Sequence, residues 1–220
     1  MDDDSMTKQP AILRLSAPPE RLSIGRHSGP GLRLIFWVQG CRLRCTRNCL
    51  NPHLLKTGGG YPVEAAALTE ALRRFARDYR EVEGVTVLGG EPFEQAGALA
   101  TALAPIKAWG LSVMVYSGHT LEALRAMNNP GVERLIELCD LLVDGPFIDE
   151  LYDESLIWRG SRNQRIIRLS ERYTEPEIEL AMARQARAIA LSRGQRGDVA
   201  VSGTQNPETS AQLRQVIGHP

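Results

Sequence analysis

The sequence is poor in several things that would announce a specialised class. Aromatic residues make up 5% of the 220 residues, and no apolar run reaches the roughly 18 residues of a membrane-spanning helix. Lys+Arg and Asp+Glu stand at 26 each, so the net charge is zero. That balance argues against a chain built to coat nucleic acid or an anionic membrane. Internal repeats and long low-complexity tracts are missing, which argues against solenoids and linker arrays. The acidic start, Met1 to Asp4, has the wrong charge for a secretory signal. A cytoplasmic protein with no membrane and no nucleic-acid partner is the expectation. At about 150 residues per domain the chain is one domain with an appendage, long enough to bury a core without staples.

Cysteine is scarce too, but unevenly placed. Of four cysteines, Cys41, Cys45 and Cys49 fall within nine residues and Cys139 stands apart. Four are too few for a disulfide scaffold of this size, and in a reducing compartment such a cluster reads as metal-binding or redox. Cys139, in the apolar stretch LIELCDLLV, reads as a core residue.

Hydrophobic patterning places the cluster. LRLIFWV, Leu32 to Val38, reads as a buried strand that runs straight into the cysteine segment. Pro62 reads as the first turn of a helix with a stripe of Leu68, Leu72, Phe75, Ala76 and Tyr79. Gly84 is expected to break that helix before a strand Val85 to Leu88, followed by a helix over 94–108. Next come a strand Leu111 to Tyr116, a helix capped by Thr120, and a strand Leu141 to Val143. Alternating strands and helices predict βαβ units and a parallel sheet, whose ligands gather at the carboxyl ends of the strands. GCRLRCTRNC, GGEP, YSGHT and DGPF each follow such a strand, so one rim of the sheet collects them. Beyond residue 150 the pattern changes. A strand Ile166 to Leu169 leads to a helix with the stripe Ile178, Met182, Ala186 and Ile189, ended by Gly194. A short strand Val199 to Val201 and a last helix capped at Asn206-Pro207 follow. The expected division is a loose N-terminus at 1–10, a core at 11–170 and a C-terminal α+β extension at 171–220.

A single helix is a poor frame for Cys41, Cys45 and Cys49, because eight residues of helix rise about 12 Å. Gly40 and Pro52 also discourage one, so the segment is expected to loop around what the sulfurs hold. Two occupants compete. An iron–sulfur cluster normally takes four thiolates, and three would leave one iron open to an outside ligand. Zinc is the rival, since His53 completes a Cys₃His set.

The ordered set GPGLR, GCRLRCTRNCLNP, LGGEPF, YSGHT, DLLVDGPF and RGSRNQRI spans residues 29–166. It resembles the radical S-adenosylmethionine (SAM) superfamily, in particular the activating proteins of anaerobic ribonucleotide reductase and pyruvate formate-lyase. The family spacing is C-x3-C-x2-C, and this chain departs from it by one residue, with C-x3-C-x3-C. The resemblance implies a radical-SAM-type partial (β/α) barrel of parallel strands. It also implies a [4Fe-4S] cluster on Cys41, Cys45 and Cys49, with SAM on the fourth iron. SAM contacts would come from Gly89, Gly90, Glu91 and Pro92, with Ser117 and Asp144 at the next strand ends. Phe36 and Trp37 would shield the cluster, and Arg42, Arg44 and Arg47 would temper its charge or receive an acidic donor. Reductive cleavage of SAM would give a 5′-deoxyadenosyl radical that installs a radical on a glycyl-radical enzyme. A flavodoxin- or ferredoxin-like protein would supply the electron. The other readings are radical modification of a peptide or small molecule, and a non-catalytic zinc or iron–sulfur protein.

Overall fold

A computed structural model describes the backbone of residues 10–196 and the side chains of residues 10–187. Residues 1–9, the strand expected at Val199 to Val201 and the helix expected after Asn206 lie outside the described residues.

The strands are β1 (Ile12–Leu15), β2 (Ser23–Gly25), β3 (Leu32–Val38), β4 (Tyr61–Glu64), β5 (Val82–Gly89), β6 (Ser112–Tyr116), β7 (Leu141–Asp144) and β8 (Arg165–Arg168). The helices are α1 (Ala65–Asp78), α2 (Ala96–Leu103), α3 (Leu121–Ala126), α4 (Pro130–Leu138) and α5 (Glu175–Arg196). One sheet runs β4-β1-β3-β5-β6-β7-β8, with β2 also pairing to β3. The central four strands, β3, β5, β6 and β7, are parallel, and the flanking pairings are antiparallel. The sheet is therefore mixed, because short β1, β2, β4 and β8 close its flanks by antiparallel pairing.

Strand alternation divides the side chains into two layers. Val113 and Val115 of β6 and Leu142 of β7 join Leu68 and Leu72 of α1, Leu99 and Leu103 of α2 and Leu135 of α4 in the larger core. Met114, Leu141 and Val143 point to the opposite face, where Trp158 and Ile178 of α5 cover them. So α1 to α4 lie on one face, and α5 lies over the other.

Arg33 is fully buried on this second face. It donates to Thr86 Oγ1 at 2.7 Å, Ser112 Oγ at 2.8 Å and the Val85 carbonyl at 2.6 Å, tying β3 to β5 and β6. Desolvation pulls its pKa down, and the hydrogen bonds offset the cost of the buried charge.

Several expectations need correction. Pro62 sits in β4 opposite Arg14, not in a helix. β4 is an edge strand, where a residue without an N–H leaves no ladder bond unmade. Tyr79 lies past the end of α1 and is half exposed. Gly84 lies within β5, where a Cβ would come 2.3 Å from Ser112 Oγ and 2.4 Å from Arg33 Nη1. The segment 94–108 is α2 flanked by the 3₁₀ turns Pro92–Gln95 and Ala104–Trp109. The helix after Thr120 is two helices, split at Asn128 (φ +48°) and restarted by the Asn129 cap and Pro130. α5 continues through Gly194.

Gly84→Ala is expected to destabilise the chain by about 2 kcal/mol, since a methyl group there must displace the buried guanidinium or Ser112. A urea-denaturation midpoint equal to that of the parent chain contradicts this account of β5.

Candidate functional site

The carboxyl ends of β3, β5 and β6 open onto one cavity, which Cys41, Cys45, Cys49, Gly89, Gly90, Glu91 and Ser117 all line. The cysteine segment is a closed loop. Gly40 N–H donates to the Leu54 carbonyl at 2.8 Å and Cys41 N–H to that of Leu55 at 3.3 Å, so both ends are tied together. Gln39 braces the closure, donating to the carbonyls of His53 and Lys56 at 3.1 and 2.9 Å.

The glycine pair at the end of β5 backs the loop. Gly90 N–H donates to the Val38 carbonyl at 2.9 Å and Glu91 N–H to that of Gly40 at 2.8 Å. A Cβ on Gly90 would lie 2.0 Å from the Gly40 oxygen, and one on Gly89, which has φ +125°, would lie 2.3 Å from the Val38 oxygen. Two glycines are thus required by close backbone approach, and in one case by a left-handed φ.

Glu91 is 1% exposed, yet it borders the cavity. Its Oε1 accepts from Phe93 N–H and Ser117 Oγ, both at 3.0 Å, and its Oε2 accepts from Gly118 N–H at 2.9 Å. Burial raises its pKa to about 7 despite those three donors. A cation in the cavity would restore the ordinary carboxylate range.

Burial also raises the Cys41 and Cys45 thiols. Opposing it, the Leu43 and Arg44 amides donate to the Cys41 sulfur, and the Phe147 amide to that of Cys45. Amide donors aimed at sulfur are what an electron-rich thiolate ligand needs. All four cysteines are free. Cys139 is a core residue, its Sγ–H donating to the Leu135 carbonyl at 3.1 Å, so three thiols border the cavity and no fourth.

Not every expected residue comes to this place. Pro92 is buried at the start of a 3₁₀ turn and does not line the cavity. Asp144 does not line it either. Its carboxylate is engaged by Arg165 Nε at 2.9 Å and Nη2, and by the Leu121 amide at 2.7 Å, so it joins β7 to β8 and α3. Phe36 belongs to the helix-side core. Leu43, Leu50, Phe147, Leu156, Ile157 and Trp158 supply apolar cover in place of Phe36 and Trp37. His53 is exposed and off the cavity. Among the described residues, no three His, Cys, Asp or Glu side chains are gathered tightly enough for a single metal ion. His53 therefore stands apart from the three cysteines that border the cavity. Arg42, Arg44 and Arg47 are exposed around the loop.

Sequence reasoning missed His27 and Gln185, which both line the cavity. Gln185 of α5 accepts from Trp158 Nε1 at 2.6 Å and donates to the His27 carbonyl at 2.9 Å, fastening α5 to the cavity wall. Arg159 lines the cavity, and its buried Nε has no hydrogen-bond partner among the described residues. Arg159 was visible in RGSRNQRI; nothing in the local pattern marks Gln185.

Residues 27–167 match the family model described as a 4Fe-4S single cluster domain. The chain belongs to that family. Its relatives include the anaerobic ribonucleoside-triphosphate reductase-activating protein of Escherichia coli K12, 30% identical over 141 residues, which cover 62% of this chain and 88% of the relative. The same-named proteins of Pasteurella multocida and Vibrio cholerae are 30% and 32% identical over 149 residues, covering 92% of each and 66% and 65% of this chain. The recognised resemblance to these activating proteins therefore stands. The 4Fe-4S domain ends before α5, so Gln185 is a wall contributed from outside it.

Glu91 gives a pH test. Folded Glu91 holds a proton up to about pH 7, whereas an unfolded chain releases it near the ordinary glutamate value of 4.5. The folded state then binds more protons between those values, so stability falls as pH rises through that window. The cluster-free protein is expected to lose up to about 3 kcal/mol between pH 4.5 and 7. Glu91→Gln should flatten the profile; an equally steep decline in the variant contradicts the assignment.

Proposed function

We propose that the chain is a radical SAM activating enzyme that installs a radical on a glycyl-radical partner of the anaerobic ribonucleotide reductase kind. One observation carries this reading: three free thiols share a cavity with a buried carboxylate at parallel strand ends, and no fourth cysteine borders it. The mixed sheet with its four parallel central strands is read accordingly as a partial (β/α) barrel.

The residues present fit a [4Fe-4S] cluster and SAM. A single ion draws its sulfurs to about 2.3 Å, while a cluster spreads three thiolates over three irons, as a cavity-wide loop can. Cys41, Cys45 and Cys49 would hold the cluster, and the amides of Leu43, Arg44 and Phe147 stabilise thiolate charge. Glu91 would meet the ammonium of SAM as an anion, held in orientation by Ser117 and the Gly118 amide. Gly89 and Gly90 keep the wall low enough for backbone contact. Arg159 would offer its buried Nε–H, unpartnered among the described residues, to an acceptor on the ligand. The apolar cover from Leu43 to Trp158 would help to exclude water once the ligands are bound. When bound, the cluster would supply one electron to SAM, giving methionine and a 5′-deoxyadenosyl radical that takes a hydrogen atom from the partner's glycine. A flavodoxin- or ferredoxin-like donor would deliver that electron near the exposed Arg42, Arg44 and Arg47. Among the described residues no helix is long and apolar enough to cross a membrane.

Anaerobic reconstitution with iron and sulfide, followed by SAM and dithionite, is expected to yield 5′-deoxyadenosine. Cys49→Ala should abolish cluster and product together. A colourless protein with stoichiometric zinc, or undiminished product from the variant, overturns the reading.

A further inference from the structure

The two intervals of the cysteine loop are held in different ways. Cys41 to Cys45 is self-supporting: Arg44 takes φ +45°, and the Leu43 and Arg44 amides turn back onto the Cys41 sulfur. The Cys45 to Cys49 interval contains Thr46, Arg47 and Asn48, one residue more than the family spacing. Here the support comes from about a hundred residues away. Thr46 Oγ1 donates to Asp149 Oδ2, Asn48 Nδ2 donates to the same oxygen at 3.2 Å, and Asn48 N–H donates to Thr46 Oγ1 at 3.0 Å. Asp149 opens the 3₁₀ turn after β7, two residues beyond Phe147, whose amide donates to the Cys45 sulfur. One short segment, 147–149, therefore grips both the second cysteine and the widened interval behind it.

We infer that Asp149 is a positioning residue for the iron–sulfur site, a staple that folds the extra residue into a compact turn and keeps Cys45 and Cys49 at ligand spacing. The inference rests on the proposed cluster assignment. A three-residue interval left free samples many conformers, and each metal-binding event must then select one of them. A single carboxylate oxygen that accepts from the side chains at both ends of the interval removes that freedom. The need is an acceptor with two lone pairs, which an amide carbonyl also supplies, rather than a negative charge. Supporting groups of this kind are worth about tenfold to a hundredfold in metal affinity.

The experiment compares the full-length parent with Asp149→Leu and Asp149→Asn after anaerobic reconstitution. It reads iron and sulfide content, loss of the 400-nm-region absorbance to a chelator, and the electron paramagnetic resonance spectrum of the reduced cluster. Asp149→Leu is expected to release iron about tenfold faster and to show a broadened or altered spectrum, with thermal unfolding of the cluster-free chain near the parent's. Asp149→Asn should restore parent-like retention and spectrum. If Asp149→Leu fails to fold, Thr46→Val combined with Asn48→Ala removes the same bonds from the exposed loop side and must give the same loss. Retention and spectrum unchanged in the Leu variant, or in the paired loop variant, overturn the staple while leaving the cluster assignment intact. A parent chain that assembles no cluster overturns both.

Discussion

The carbonyl of Gly40 accepts a hydrogen bond from the Glu91 amide, and the carbonyl of Val38 accepts one from Gly90. These two bonds continue the β3–β5 pairing past the end of the sheet and carry it into the loops. They require Gly90 to lack a Cβ, and they bring the root of the cysteine loop beside Glu91, a buried acidic side chain that borders the cavity. Everything proposed for the site depends on that approach. Cys41 follows Gly40 directly, and Glu91 follows Gly90, so one backbone contact sets the spacing between the first sulfur and the carboxylate.

From that anchor the site is assembled outward by segments far apart in the sequence. The loop is closed by Leu54 and Leu55, its far interval is gripped from the segment after β7, and Ser117 and Gly118 at the end of β6 orient Glu91. The remaining wall comes from α5 through Gln185, Trp158 and the His27 carbonyl. Trp158 holds φ +62° there, a conformation that a bulky residue keeps only when its surroundings enforce it. Its burial and its bond to Gln185 provide that enforcement.

The central strands were legible because their apolar runs are bounded by glycines, and the motif-bearing loops were legible because each follows such a strand. The short flanking strands were not. β1 and β2 have four and three residues, too few for a period to register, and β4 carries a proline that reads as a helix start until its edge position is known. Gly84 reads as a breaker because sequence cannot show the buried guanidinium that fills the space beside it. At the site, the cysteines, the glycine pair, Glu91 and Ser117 were named from motif and strand position. Asp144 was named for the same reason, yet its carboxylate serves Arg165 and Leu121, a pairing across twenty-one residues that position alone does not reveal. Gln185 and Asp149 act over more than a hundred residues of separation, and such contacts leave no local trace.

The central claim is a cluster held by three cysteines with one iron left for SAM. Mössbauer spectroscopy of protein reconstituted with ⁵⁷Fe, recorded before and after SAM is added, addresses it without requiring turnover or a partner. The account predicts that one iron in four changes its environment when SAM binds, while the other three keep theirs. Four irons that ignore SAM, or no cluster signal in oxygen-protected protein, would contradict it.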